Sequence, residues 1–179
     1  MYAKILINIP ASGDTPEIHF GDHFQYPLWI EFMDHNNEKW YGCFSSDYPV
    51  DDPHTFNKVL LDPLKQTAFV VVGGFGYLVD LNNRQIKLKY EEHPLITCIF
   101  QSYNPDYFIT ANSLCINIFN SEEWIKRVIP NLLTNNIFFT DQISTKILGN
   151  LTAPEIDHDT PLDFELDLIT FEFKANSPI

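Results

Sequence analysis

The chain has 179 residues, of which 45% are hydrophobic, 15% aromatic and 20% charged, and its 24 acidic and 11 basic side chains give a formal net charge of -13. This size and composition predict a single globular domain over residues 1–179 and exclude an intrinsically disordered chain. The acidic excess, with no basic patch to offset it, would repel a phosphate backbone, so nucleic acid is not expected as a partner.

The start of the chain predicts a first strand and not a secretory signal. Asn8 and Pro10 interrupt its short apolar run, and a signal peptide needs roughly 7 to 15 apolar residues. No window approaches the roughly 18 apolar residues of a membrane span. The cysteines are odd in number and lie in apolar runs, which is typical of free thiols packed as small hydrophobes in a reducing compartment (Cys43, Cys98 and Cys115). We therefore expect a cytoplasmic protein with no membrane partner.

Apolar and polar positions alternate along most of the chain, which predicts a mainly β fold of antiparallel meander sheets, either a sandwich or blade-like. Asn residues between residues 28–34 and 39–45 favour a hairpin there. Gly73 and Gly74 begin the link between two further strands and suit a turn with positive φ. The other predicted strands are 84–90, 96–101, 107–110, 114–119, 137–140, 144–151, 162–168 and 170–174.

A faint internal repeat accompanies these strands. Residues 69–81 resemble residues 107–118 at a spacing near 38 residues. Propeller blades repeat at roughly 40 residues, but the tryptophan-aspartate signature of one blade family is missing, so we favour a compact sandwich or open, blade-like sheets over a propeller.

One short helix is predicted over residues 121–129. Asn120 is placed to cap its first amides, Glu123 follows at capping-box spacing, and Pro130 ends it. Trp124 and Val128 belong to its apolar stripe and predict a face packed on the core.

The strongest candidate for metal chemistry is the segment His19 to His23. His19 and His23 enclose Asp22, and an i, i+4 histidine pair with a carboxylate could bind a divalent metal in a small hydrolase if the segment were helical. Gly21 disfavours that helix, so a surface loop is the competing interpretation. Asp157-His158-Asp159 is a similar candidate, with a solvated loop as its alternative. We find no catalytic signature and expect no cofactor.

The last quarter of the chain is strongly acidic. Residues 155–172 contain seven carboxylates and no Lys or Arg. On a strand, Asp163, Glu165 and Asp167 would share one face, because successive side chains alternate. This face predicts either a protected, solvated sheet surface or a docking surface for a basic protein. The candidate partner-binding residues are Asp157, Asp159, Asp163, Glu165 and Asp167.

Small size, acidity and the strand-rich sequence from Gly73 to Asp80 (GGFGYLVD) together make the chain similar to bacterial immunity proteins of contact-dependent inhibition and other polymorphic toxin systems. The resemblance implies a non-enzymatic cytoplasmic antidote that binds a basic toxin domain, such as a nuclease, by shape and charge. The alternatives are the metal-dependent hydrolase and a structural or regulatory β domain that binds a peptide or another subunit.

Overall fold

A computed structural model describes residues 1–11, 13, 15–21, 25–104, 106–130, 134–153 and 161–176. The described residues form sixteen strands and no helix, arranged in four sheets of four strands each. The predicted antiparallel meander fold is confirmed. This part of the chain contains no helix that is long and apolar enough to cross a membrane.

The chain divides into two compact units, and the first is Met1–Leu95. The strands of its sheet 1 are β1 (Tyr2–Leu6), β2 (Glu17–Phe20), β3 (Leu28–Met33) and β4 (Lys39–Phe44). The strands of its sheet 2 are β5 (Lys58–Asp62), β6 (Thr67–Val72), β7 (Phe75–Asp80) and β8 (Gln85–Tyr90).

The second unit is Ile96–Ile179. The strands of its sheet 3 are β9 (Cys98–Gln101), β10 (Phe108–Ala111), β11 (Ile116–Phe119) and β12 (Trp124–Val128). The strands of its sheet 4 are β13 (Asn136–Ile143), β14 (Lys146–Thr152), β15 (Leu162–Asp167) and β16 (Phe173–Ala175). The single domain expected over residues 1–179 stays a prediction.

Sheets 2, 3 and 4 are meanders in which the strands follow one another in sequence order. Sheet 1 differs, because its order is β1-β3-β4-β2 and β2 pairs with β4 in parallel. The middle strands of sheets 2 and 3 (β6, β7, β10 and β11) are buried along nearly their whole length. That burial explains why their sequences are almost continuously apolar, whereas β15 alternates.

The sequence repeat has a structural counterpart. Residues 69–72 and 107–111 contribute to β6 and β10, which are the second strands of sheets 2 and 3, and the segments after them form the third strands β7 and β11. The repeated segments therefore contribute to the two central strands of successive sheets.

The tight turns predicted from Gly and Asn are confirmed. Gly73 and Gly74 connect β6 to β7 with φ values of 60° and 81°. In the hairpin between β3 and β4, Asn37 has a φ of 61°, a backbone conformation that asparagine tolerates better than most residues.

The helix predicted over residues 121–129 is wrong. Residues 121–123 form a bend, and Trp124–Val128 is the edge strand β12, paired with β11. Asn120 Oδ1 accepts the amides of Glu122 and Glu123 at 2.7 and 2.8 Å, so the capping side chain works as expected but in a hairpin turn. An N-cap residue and an Asx turn have the same hydrogen bonds from backbone amides to the side-chain oxygen. The pairing of Trp124–Val128 with β11 makes the segment after this turn a strand and not a helix. Trp124 is 39% exposed and does not anchor a core.

Candidate binding face

The outer side of sheet 4 is the candidate binding face. Along β15, Leu162, Phe164 and Leu166 are buried, while the intervening acidic side chains point to the other side (Asp163, Glu165 and Asp167). The alternation predicted from the sequence is confirmed. Strand register adds residues of the neighbouring strands, and we call the resulting surface the sheet 4 face: Phe138, Asp141, Ile143, Lys146, Leu148, Asn150, Asp163, Glu165, Asp167 and Lys174.

Two lysines neutralise part of the charge on this surface. Lys146 Nζ lies 2.7 Å from Glu165 Oε2, and its hydrogen bond to that carboxylate raises the pKa of Lys146. Lys174 Nζ lies 3.2 Å from Glu172 Oε2, beside the face. Glu165, one of the predicted partner-binding residues, therefore already has a cation. Because all four side chains are largely exposed, these pairs contribute little to stability.

Asp167 has a structural task at the end of β15. Its Oδ1 accepts the amides of Ile169 and Thr170 at 2.8 and 2.9 Å. The backbone amides of Thr170 and Ile169 lower the pKa of Asp167, because they stabilise the charged carboxylate. This carboxylate holds the turn into β16, so it is a poor candidate for a partner-binding group.

Asp141 and Asp163 are the carboxylates that stay available. Both are exposed, and neither makes an ion pair with any residue in the described ranges. Asp141 Oδ1 accepts the adjacent amide of Gln142, at 2.7 Å. In the strand register, Asp141 lies opposite Leu148, which in turn lies opposite Glu165. Asp163 lies opposite Asn150, which in turn lies opposite Phe138. Asp163 was predicted from the sequence and Asp141 was not.

Exposed apolar side chains flank these two carboxylates. Phe138 is 48% exposed and Ile143 is 60% exposed, while Leu148 between them is half-buried. Sequence reasoning placed residues 137–140 on a strand but did not identify this apolar edge. The available signal was the pattern from Asn136 to Ile143, where apolar residues occupy both faces of the strand.

The other predicted site residues are separate from this surface or outside the described residues. Asp157 and Asp159 lie outside the described residues, as do Asp22 and His23. His19 lies on the edge strand β2, where its ring meets the Trp29 ring edge-on at 5.4 Å between centroids. Among the residues that are described, no three His, Cys, Asp or Glu side chains form a group that could hold a metal ion.

The three cysteines are free thiols. Cys43 and Cys115 are buried and Cys98 is half-buried, in agreement with their prediction as small hydrophobes. Burial raises the pKa of Cys43 to about 11 and also raises the pKa of Cys98. Thiols with raised pKa values are mostly protonated at neutral pH and are weak nucleophiles.

Comparison with known proteins adds information on the fold. No protein-family model matches the chain, and no curated protein does. Hydrazine synthase of Kuenenia stuttgartiensis has a similar structure, with a TM-score of 0.55 and 11% identity, over 96% of this chain and 52% of that one. BBS1N in complex with ARL6DN has a TM-score of 0.44 and 12% identity, over 83% of this chain and 48% of that one. The chain thus spans about half the length of these solved chains, and the likeness to hydrazine synthase extends to the fold alone.

Proposed function

We propose that this chain is a non-enzymatic binding protein that docks a basic protein domain on its sheet 4 face. The observation that carries this proposal is the placement of two available carboxylates, Asp141 and Asp163, beside the exposed side chains of Phe138 and Ile143. A surface of this kind combines the two properties that a protein interface needs, apolar area and directional charge.

The two kinds of group would contribute in different ways. Carboxylates attract a cationic partner over several ångströms and raise the association rate, especially at low salt. Apolar side chains act once the surfaces touch, and burying Phe138 would chiefly slow dissociation. The net charge of -13 supplies a long-range field of the same sign.

For the partner, we propose a basic toxin domain. This choice rests on the similarity of the sequence to immunity proteins and on the charge of the sheet 4 face. In that role the chain would act in the cytoplasm by occupying the toxin surface, without turnover and without a cofactor.

Where the gene immediately upstream encodes a protein with a basic C-terminal domain, that domain is the probe for the test. Association and dissociation rates are measured by stopped flow between about 20 and 300 mM salt, a range over which screening of exposed charges changes strongly. Asp141→Asn with Asp163→Asn should slow association about threefold to tenfold at low salt and flatten its salt dependence. Phe138→Ala should speed dissociation while changing association little.

A matched control removes the same charge elsewhere. Asp51→Asn with Glu92→Gln changes two exposed acids of the first unit and should alter the association rate by less than about twofold, since only the screened long-range field changes. Equal slowing by both double variants would show that net charge matters and that the sheet 4 face does not. Failure of the probe to bind would reject the toxin domain as partner.

A further inference from the structure

A small pocket opens in the first unit, between the end of β4 and strands β7 and β8. Its volume is about 130 Å³, close to that of an engineered apolar cavity of ~150 Å³ that holds benzene. A ligand of a few heavy atoms therefore fits. The lining residues are Gly21, Ser45, Asp47, Phe75, Tyr77, Lys89 and Glu91.

Aromatic rings form one side of the pocket. Phe75 and Tyr77 stand two residues apart on β7, so they project from the same face of the strand. Both are buried within the unit, and the Tyr77 hydroxyl donates a hydrogen bond to the Ser45 carbonyl oxygen at 3.1 Å. That bond fixes the Tyr77 ring, which gives the pocket a rigid aromatic wall.

Two carboxylates, Asp47 and Glu91, also line the pocket. Asp47 follows β4 and Glu91 follows β8, and both side chains are exposed. Burial and the nearby charges of Glu91 and Asp47 raise the pKa of Tyr77 to about 12. Asp47 makes no ion pair with any residue in the described part of the chain.

The chain's own lysine shows which chemistry the pocket accepts. Lys89 is the direct cross-strand partner of Tyr77. Its Nζ lies 5.9 Å from the centroid of the Tyr77 ring and 2.6 Å from Glu91 Oε1. An aromatic face and a carboxylate together favour a cation. Lys89 is 41% exposed, so its flexible side chain can leave at little cost.

We propose that this pocket binds a guanidinium or alkylammonium group, which displaces Lys89 and takes its place between the Tyr77 ring and the carboxylates of Glu91 and Asp47. A guanidinium suits the pocket better than an ammonium, because it is planar, stacks on aromatic rings and donates to two carboxylates at once. The pocket belongs to the first unit, so this inference does not depend on the sheet 4 face.

Methylguanidinium is the probe, titrated into isotopically labelled protein and followed by NMR with equal sodium chloride as the reference. We expect saturable shifts confined to Tyr77, Phe75 and their neighbours. Lys89→Met removes the internal competitor, and an exposed ion pair is worth about 0.2 to 1 kcal/mol, so binding should tighten about 1.5-fold to 5-fold. Adding Glu91→Gln to Lys89→Met should weaken it again.

Lys87→Met is the matched control, since Lys87 is an exposed lysine two residues away on the same strand, and it should bind like the wild type. A blocked peptide, acetyl-Gly-Arg-Gly-amide, distinguishes the source of the cation. If it binds as tightly as methylguanidinium, the pocket receives an arginine side chain of a protein; if only methylguanidinium binds, the ligand is a small molecule. Shifts no different from those of sodium chloride, or equal affinities of Lys89→Met and Lys87→Met, would overturn the proposal.

Discussion

Gly149 lies in β14 directly beneath the sheet 4 face, and replacing it with alanine tests how closely the sheet is packed. The position is buried, opposite Phe139 on β13 and Phe164 on β15. A methyl group there would overlap the Phe138 carbonyl oxygen and would lie 2.5 Å from Cζ and 2.6 Å from Cε1 of Phe164. The ring has room only because this residue has no side chain.

The cost follows from what can move. Overpacking a core costs about 1 to 3 kcal/mol, and the upper part of that range applies here because the carbonyl oxygen belongs to the backbone and cannot rotate away. Replacing glycine also restricts the unfolded chain, which returns about 0.4 to 1 kcal/mol. Gly149→Ala should therefore lower the free energy of unfolding by about 2 kcal/mol, or Tm by roughly 4 to 8 °C.

Urea denaturation and thermal melting, both followed by circular dichroism, measure this change. Gly13→Ala is the control, because Gly13 is exposed and the nearest atom to an added methyl would be the Ala11 carbonyl oxygen at 3.9 Å. The free energy of unfolding of Gly13→Ala should stay within about 0.5 kcal/mol of the wild-type value. In the Gly149→Ala background, Phe164→Leu should cost less than it does alone, because it relieves the overlap. If Gly149→Ala melts with the wild type, the packing described for sheet 4 is wrong.

Three further measurements address particular residues. The pKa of Asp167 is lowered in the folded protein, so its charge stabilises the fold at pH values above the unfolded pKa of about 3.9. This stabilisation disappears as the pH falls through the folded pKa. The difference in free energy of unfolding between wild type and Asp167→Asn should therefore be constant from about pH 5 to 7 and shrink below about pH 4, and a difference independent of pH would contradict this. Asn120→Ala removes the acceptor of two turn amides and should cost about 1 kcal/mol in urea denaturation, whereas Asn120→Asp should cost less. Elemental analysis of the purified protein should find no stoichiometric zinc, manganese or iron, and one metal per chain that is lost in His19→Ala would favour the hydrolase hypothesis.

The strands could be predicted because their signals are local. The alternation along β15 places Leu162 and Asp163 on opposite faces whatever the rest of the chain does. The glycine turn at Gly73 and Gly74 is equally local, because its positive φ values suit few other residues. These features depend on near neighbours in the chain, which a single sequence displays directly.

The elements that were missed depend on pairing between distant residues. Asn120 accepts the amides expected of a helix cap, yet pairing of β12 with β11 made the segment a strand. The sheet 4 face likewise depends on register, because Asp141 and Glu165 lie on either side of Leu148 only through the pairing of β13 with β14 and of β14 with β15. Which acids are paired with lysines also requires the register.

Part of the acidic excess forms hairpin turns. Asp62, Asp80 and Asp167 each stand at or next to the end of a strand and accept the amides of the residues two and three positions later. Each turn then has a left-handed residue four positions after the aspartate: Gln66 (φ 54°), Arg84 (φ 54°) and Phe171 (φ 58°). None of these three is Gly or Asn, so the usual turn signal is missing. The two hydrogen bonds from backbone amides to the carboxylate hold the backbone in place.

It follows that the net charge of -13 overstates what a partner can use. Asp62→Asn with Asp80→Asn and Asp141→Asn with Asp163→Asn change the net charge equally, but the first pair of acids holds turns and the second is exposed on the sheet 4 face. The turn variant should therefore lower the midpoint of urea denaturation and leave the association rate with the basic domain nearly unchanged. The surface variant should slow association and leave the midpoint of urea denaturation nearly unchanged. Slower association in the turn variant, at unchanged stability, would mean that the partner responds to total charge and that the division of these acids into turn and surface groups has no functional meaning.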